Sequence, residues 1–140
     1  MKRRRRTEIL ILEHSGLAQN FAETIIENYP CQEIVAPKYG LTMIKMRESA
    51  KNSLFYMGEV LVTEAKVEIN QCIGIGIVAG MQEELAKYLA IIDAAYKAQL
   101  LETEEWGSQL LEAEQQIRQE KAQQQAELFE TKVDFETMDV

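Results

Sequence analysis

The chain has 140 residues, 46% of them hydrophobic, with 15 basic against 23 acidic side chains for a net charge of −8. That length suits one compact domain with a single small core, and no apolar run approaches the roughly 20 residues that a membrane-spanning helix requires. The basic start lacks the apolar core and small-residue cleavage site of a signal peptide, so a cytoplasmic location is expected.

The charge is unevenly placed: residues 1–6 read MKRRRR, whereas the stretch from Glu102 onward holds eleven acids against Arg118, Lys121 and Lys132. A short basic tail of this kind on an acidic protein, with no aromatic-basic patch behind it, is a weak nucleic-acid signal. Behind the tail, Ile9, Leu10, Leu12, Leu17, Phe21, Ile25 and Ile26 recur at helical spacing. They predict one helix from about Thr7 to Glu27, with the region near Gly16 as a candidate break, and a stop before Pro30. His14 is the one histidine and has no partner histidine, so it reads as a surface or half-buried side chain rather than a ligand. Cys31 and Cys72 are too few for a disulfide framework and read as buried, reduced thiols.

Gln32 to Pro37 reads as a short extended approach, Pro37 to Gly40 as a turn, and Leu41 to Arg47 as an alternating strand. After a polar connector, Phe55 to Ile69 is a second extended run rich in β-branched residues, in which Gly58 suggests a bulge or a close backbone approach. Asn70-Gln71 is a tight connection to CIGIGIVA, Cys72 to Ala79, where Ile73, Ile75 and Ile77 share one face and Gly74 and Gly76 the other. Alternate glycines admit very close packing on their face. Gly74-Ile75-Gly76 is not a dinucleotide fingerprint, because it runs on into a strand instead of opening a helix.

From Met81 a second helix is expected, with Leu85, Leu89, Ile92 and Tyr96 facing the core and Glu83 and Glu84 near its positive N-terminal end. The pattern weakens near Gly107. Residues 101–130, including Leu110, Ile117 and Leu128, form a glutamine-rich acidic helix too polar for a core of its own. Residues 131–140 return to strand-like alternation, with Val133 and Phe135 about Asp134, and read as a terminal extended segment that adds to a partner. The reading is therefore a single α+β domain: basic tail 1–6, α+β core 7–100 with a small, mostly antiparallel sheet, polar helix 101–130, extended segment 131–140.

Chemistry is sparse. Glu59 has the functional group of a general acid or base, with Thr63, Glu64 and Lys66 nearby, yet no paired carboxylates, phosphate-cradling loop or nucleophile-base pair accompany it. The favoured reading of Glu59 is a strand carboxylate paired with a cation such as Arg47. No catalytic residue, metal site or bound cofactor is assigned.

Three stretches carry a resemblance: Gly40-Leu41-Thr42-Met43 with Glu48-Ser49; Phe55-Tyr56-Met57-Gly58-Glu59-Val60-Leu61-Val62-Thr63; and the closing Thr131-Lys132-Val133-Asp134-Phe135-Glu136-Thr137-Met138. In this order they resemble the PhnG family, the G subunit of the bacterial carbon-phosphorus lyase system, across nearly the whole chain. The central run is similar to the family's F-x-x-G-E-x-x-V-T and the tail to its T-R-V-D-F-x-T-M. Tyr56, Met57 and Glu64 stand where many members have asparagine, leucine and arginine, which removes an amide and reverses a charge.

The resemblance implies a subunit of a cytoplasmic assembly. In that family the G, H and I subunits, helped by an ATP-binding-cassette-like subunit, displace adenine from MgATP with a phosphonate to give ribose 1-methylphosphonate 5-triphosphate. MgATP is a substrate of the assembly, and the radical J subunit acts later. By the same resemblance the chain is a non-catalytic or site-completing partner of I, H and J. Phe55, Gly58, Glu59, Thr63, Val133, Asp134, Phe135 and Thr137 are the expected partner-binding or site-lining residues. The alternative is a stand-alone, self-associating regulatory or nucleic-acid-binding module that uses the Lys2 to Arg6 tail.

Overall fold

The computed structural model describes the backbone of residues 1–47 and 54–138, and side chains over 1–43 and 58–129. The architecture is α+β: helices α1 (Arg3–Leu12), α2 (Leu17–Asn28), α3 (Glu83–Lys97) and α4 (Glu102–Met138), and strands β1 (Gln32–Arg47), β2 (Leu54–Ile69) and β3 (Cys72–Ala79). The strands form one antiparallel sheet in the order β1-β2-β3.

The N-terminus departs from the expected tail, because α1 begins at Arg3 and folds the arginines into the domain. Arg6 is 6% exposed, its guanidinium stacked 3.8 Å above the Tyr96 ring. It also bonds to Asp93, at 3.2 Å, which is itself buried on α3. Asp93 further meets Arg3 at 3.1 Å and Lys97 at 3.2 Å, and it accepts the backbone N–H of Ile75 at 2.9 Å. Arg3 and Lys97 in turn donate to the carbonyls of Ile75 and Ile73. Edge-strand polar groups of β3 are thus satisfied by side chains, which hinders pairing with a foreign strand there.

The helix expected over residues 7–27 is two helices, broken where Gly16 turns left-handed (φ 76°). The Glu13 carboxylate caps the second by accepting the N–H groups of Ser15 and Leu17, each at 2.7 Å. The expected turn at Pro37 is instead an irregularity inside one continuous strand, with the β1–β2 register shifting between Val35 and Lys38. Proline is tolerated there because β1 is an edge strand and needs no inward N–H at that point. Asn70 (φ 49°) and Gln71 (φ 67°) make the two-residue turn between β2 and β3.

The core lies between one face of the sheet and the helices. Thr63, Ala65, Val67 and Ile69 of β2 point into it, alternating with half-buried Val62, Glu64, Lys66 and Glu68 on the other face. Gly74 and Gly76 lie directly under α3: a Cβ at Gly74 would sit 2.1 Å from the Ala90 carbonyl oxygen, and one at Gly76 2.1 Å from that of Ala86. Small residues on both surfaces, Ala86, Ala90 and Ala94 on α3, let the helix backbone rest on the strand. On the other side of the core Phe21 stacks on Trp106 with centroids 4.4 Å apart, and Leu110 is fully buried, so the first turns of α4 belong to the core.

The expected terminal extended segment is a correction: Thr131 to Met138 continues α4 as helix. Among the described residues no strand lies alongside to take up its backbone groups, whereas helical continuation pairs them locally. Cys31 and Cys72 are free thiols, half-buried rather than buried.

Candidate docking surfaces

Two elements outgrow the domain. Strands β1 and β2 have 16 residues each, yet β3 pairs only with Val62–Ile69. Residues 40–47 and 54–61 therefore form a two-stranded ribbon, joined to the rest mainly through its base. Such a ribbon is marginally stable by itself. Helix α4 has 37 residues, about 55 Å. Every described side chain from Arg118 to Phe129 is exposed, including Leu128 (69%) and Phe129 (67%).

The ribbon prolongs the face of the sheet that α3 covers further down. Leu61 follows Thr63 on that face and pairs with Leu41, while Met43 pairs with Glu59. Because α3 begins only at Glu83, no helix among the described residues reaches over these residues, and Leu41, Met43 and Met81 are each more than half exposed. At the base Tyr39 donates to the Glu83 carboxylate at 2.5 Å, which holds its phenol above the ordinary range. Tyr39 and Glu83 border a groove of about 760 Å³ that runs on past Glu84, Leu10 and Gln19. The opposite face of the sheet carries exposed Ile73 and Ile77.

The expected site residues divide among these surfaces. Gly58 and Glu59 stand on the ribbon, where a register shift between Ile44 and Lys45 forms a bulge and Gly58 takes φ 141°. Phe55 pairs with Met46 on the same ribbon, its side chain outside the described residues. Thr63 is not surface at all: fully buried, it donates to the Gly80 carbonyl at 2.6 Å and accepts the Gln82 N–H at 3.0 Å, tying β2 to the start of α3. Val133, Asp134, Phe135 and Thr137 lie on the far end of α4, on a different element, with side chains outside the described residues. The expected Glu59–Arg47 pairing also falls outside them; Glu59 is exposed, and Glu64 pairs at 3.8 Å with Lys66. Leu41, Met43 and Leu61 are not among the expected docking residues, because strand alternation alone does not say which part of a face a helix covers; that depends on where α3 begins.

The side chains offer little for bond-making chemistry. Among the described residues no group of three or more His, Cys, Asp or Glu side chains is placed to hold a metal. His14 is 81% exposed and 3.6 Å from Glu120. Burial pushes the Cys31 thiol up, away from thiolate. No described helix is long and apolar enough to cross a membrane. What the fold presents is a small α+β protein with an exposed apolar ribbon face and an exposed helix end.

The chain belongs to the PhnG family: the family model described as phosphonate metabolism protein PhnG matches residues 1–139. A comparison with curated proteins returned no significant match.

Proposed function

We propose that this chain is a non-catalytic, site-completing subunit of the carbon-phosphorus lyase core complex. In that role it supports displacement of adenine from MgATP by a phosphonate, giving ribose 1-methylphosphonate 5-triphosphate, in company with the I, H and J subunits and the ATP-binding-cassette-like subunit in the cytoplasm. The observation that carries this reading is the pairing of full-length membership of a phosphonate-metabolism family with two elements that extend beyond their own domain. A ribbon and a helix that bury little apolar surface at home are suited to burying it on a partner. Glu59 stands exposed without a second acid or a base beside it among the described residues, which supports a positioning or contact role over a catalytic one.

The nucleic-acid alternative has less to rest on, since of Lys2 to Arg6 three arginines are engaged: Arg6 and Arg3 with Asp93, and Arg5 with Glu114. The test is reconstitution of the complex with a chain ending at Glu130. The core stays folded, because α4 is exposed over its described residues from Arg118, while assembly and production of the ribosyl triphosphate are lost. Normal assembly with the shortened chain contradicts the reading.

A further inference from the structure

We propose that two copies of this chain, related by a two-fold axis, pack together through the sheet face that turns away from α3, with β2 of one copy lying antiparallel over β2 of the other. The inference goes beyond the proposed function and is independent of it. It uses neither the apolar face of the ribbon nor the far end of α4, which stay free for partner subunits.

One face of the sheet is covered by α3, which rests on Gly74 and Gly76. Strand alternation puts Ile73, Ile75 and Ile77 on the other face, where Ile73 and Ile77 are 45% and 51% exposed. The apolar strip continues past β3, because Ile11 and Leu12 of α1 border a groove of about 550 Å³ together with Ile75 and Ile77. The outer edge of β3 is taken up by Arg3, Asp93 and Lys97, which leaves the face rather than the edge for association. The stretch paired in all three strands, opposite Val62–Ile69, is about 27 Å long and roughly 14 Å wide. A face of that size lies at the small end of specific interfaces, so a dimer of modest affinity is expected.

The charge pattern names the occupant. On this face of the strands Lys38 and Lys66 stand against Glu64 and Glu68, a net of zero in a chain of net −8. Within one copy Glu64 and Lys66 lie 3.8 Å apart along β2. A two-fold axis that crosses the strands between these two residues sets Glu64 over Lys66 of the second copy and Lys66 over its Glu64. Four charges of alternating sign then close into a ring, each beside two of opposite sign. Because Glu64 is paired with Ile77 and Lys66 with Ile75, the same axis sets Ile75 over Ile77 of the second copy, and the reverse. Moving the axis onto Lys66 would place Glu64 against Glu68, which like-charge repulsion disfavours. Two twisted sheets pack in this aligned way about 10 Å apart. The same patch on both copies closes the pair, and the antiparallel arrangement carries the two ribbons out at opposite ends.

The test is charge-swap complementation, read by sedimentation equilibrium of the purified full chain. The parent is expected to be a dimer of the 16.0 kDa chain at roughly tens of micromolar. Glu64→Lys sets two cations opposite each other and Lys66→Glu sets two anions, so each variant alone is expected to self-associate at least about tenfold more weakly. Mixed in equal amounts the two restore dimer, because one copy then brings two cations and the other two anions. The doubly exchanged chain, Glu64→Lys with Lys66→Glu, dimerises as the parent does. Ile77→Glu weakens the dimer at least about tenfold, whereas Leu41→Glu on the ribbon leaves it unchanged. The exchanged side chains are about one-third exposed, and circular dichroism verifies that every variant keeps the fold. A monomeric parent, a single variant at position 64, 66 or 77 that dimerises as the parent does, a mixture or double exchange that stays monomeric, or a dimer lost with Leu41→Glu each overturns the proposal.

Discussion

Replacing Gly74 by alanine tests the packing that holds the sheet to its helix. The new Cβ would lie 2.1 Å from the Ala90 carbonyl oxygen, 2.2 Å from the Ala94 nitrogen and 2.7 Å from the Ala94 Cβ. The first two are backbone atoms, so no side-chain rotation relieves the clash, and α3 has to retreat by about 1.3 Å to reach an ordinary contact of 3.4 Å. A gap of that size over Ala65, Val67 and Gly76 forfeits a large share of the dispersion energy of each contact it opens. Overpacking of this kind costs typically 1–3 kcal/mol, and with two backbone atoms in the way about 3 kcal/mol is expected. Against a total stability of roughly 5–15 kcal/mol that lowers Tm by about 10 °C. Thermal unfolding followed by circular dichroism reads the shift. Gly40→Ala is the control, because a Cβ there meets nothing within 4 Å, and its change should stay within about 0.5 kcal/mol. A Gly74→Ala protein that melts with the parent would refute the close helix–strand contact.

Further expectations follow from the same contacts. Asp93→Ala strands Arg6 in the core without a carboxylate and should cost about 3–5 kcal/mol in urea unfolding, whereas the double change Asp93→Leu with Arg6→Met should cost less than the single one. Thr63→Val keeps the shape but removes the bonds to Gly80 and Gln82, so about 1–3 kcal/mol of stability is lost; full stability with loss of complex activity would instead mark Thr63 as a substrate contact. Arg5 holds the Glu114 carboxyl below its ordinary range, chiefly by hydrogen bonding. That stabilisation is present above the unfolded carboxyl pKa and is lost as pH falls through the lowered folded value. Acid unfolding curves of Arg5→Ala should therefore differ from the parent above the carboxyl range and converge with it at lower pH.

Much of the fold was legible because its signals were local. The β-branched run gave β2, alternation gave β3, Asn70-Gln71 gave their turn, and the glycines at 74 and 76 foretold close packing on their face. What was missed depends on tertiary partners. The arginines of α1 look like a solvated tail until Asp93, some 90 residues away, is seen to collect them. Pro37 looks like a turn unless β1 is known to lie at the sheet edge, and residues 131–138 look like a strand although no strand among the described residues lies beside them. Thr63 sits in the run that carries the family resemblance, but its hydroxyl serves the core. Conversely, Leu41 and Met43 read only as one face of an alternating strand, and their exposure follows from α3 beginning at Glu83.

The most direct test of the central claim, that the chain is a docking subunit for phosphonate metabolism, is co-purification of a tagged copy from cells of the source organism grown on a phosphonate as sole phosphorus source, with attached proteins identified by mass. The account predicts recovery of a large I-type subunit together with H and J, and its loss when the chain ends at Glu130. Recovery of the chain alone, or with nucleic acid, would contradict it.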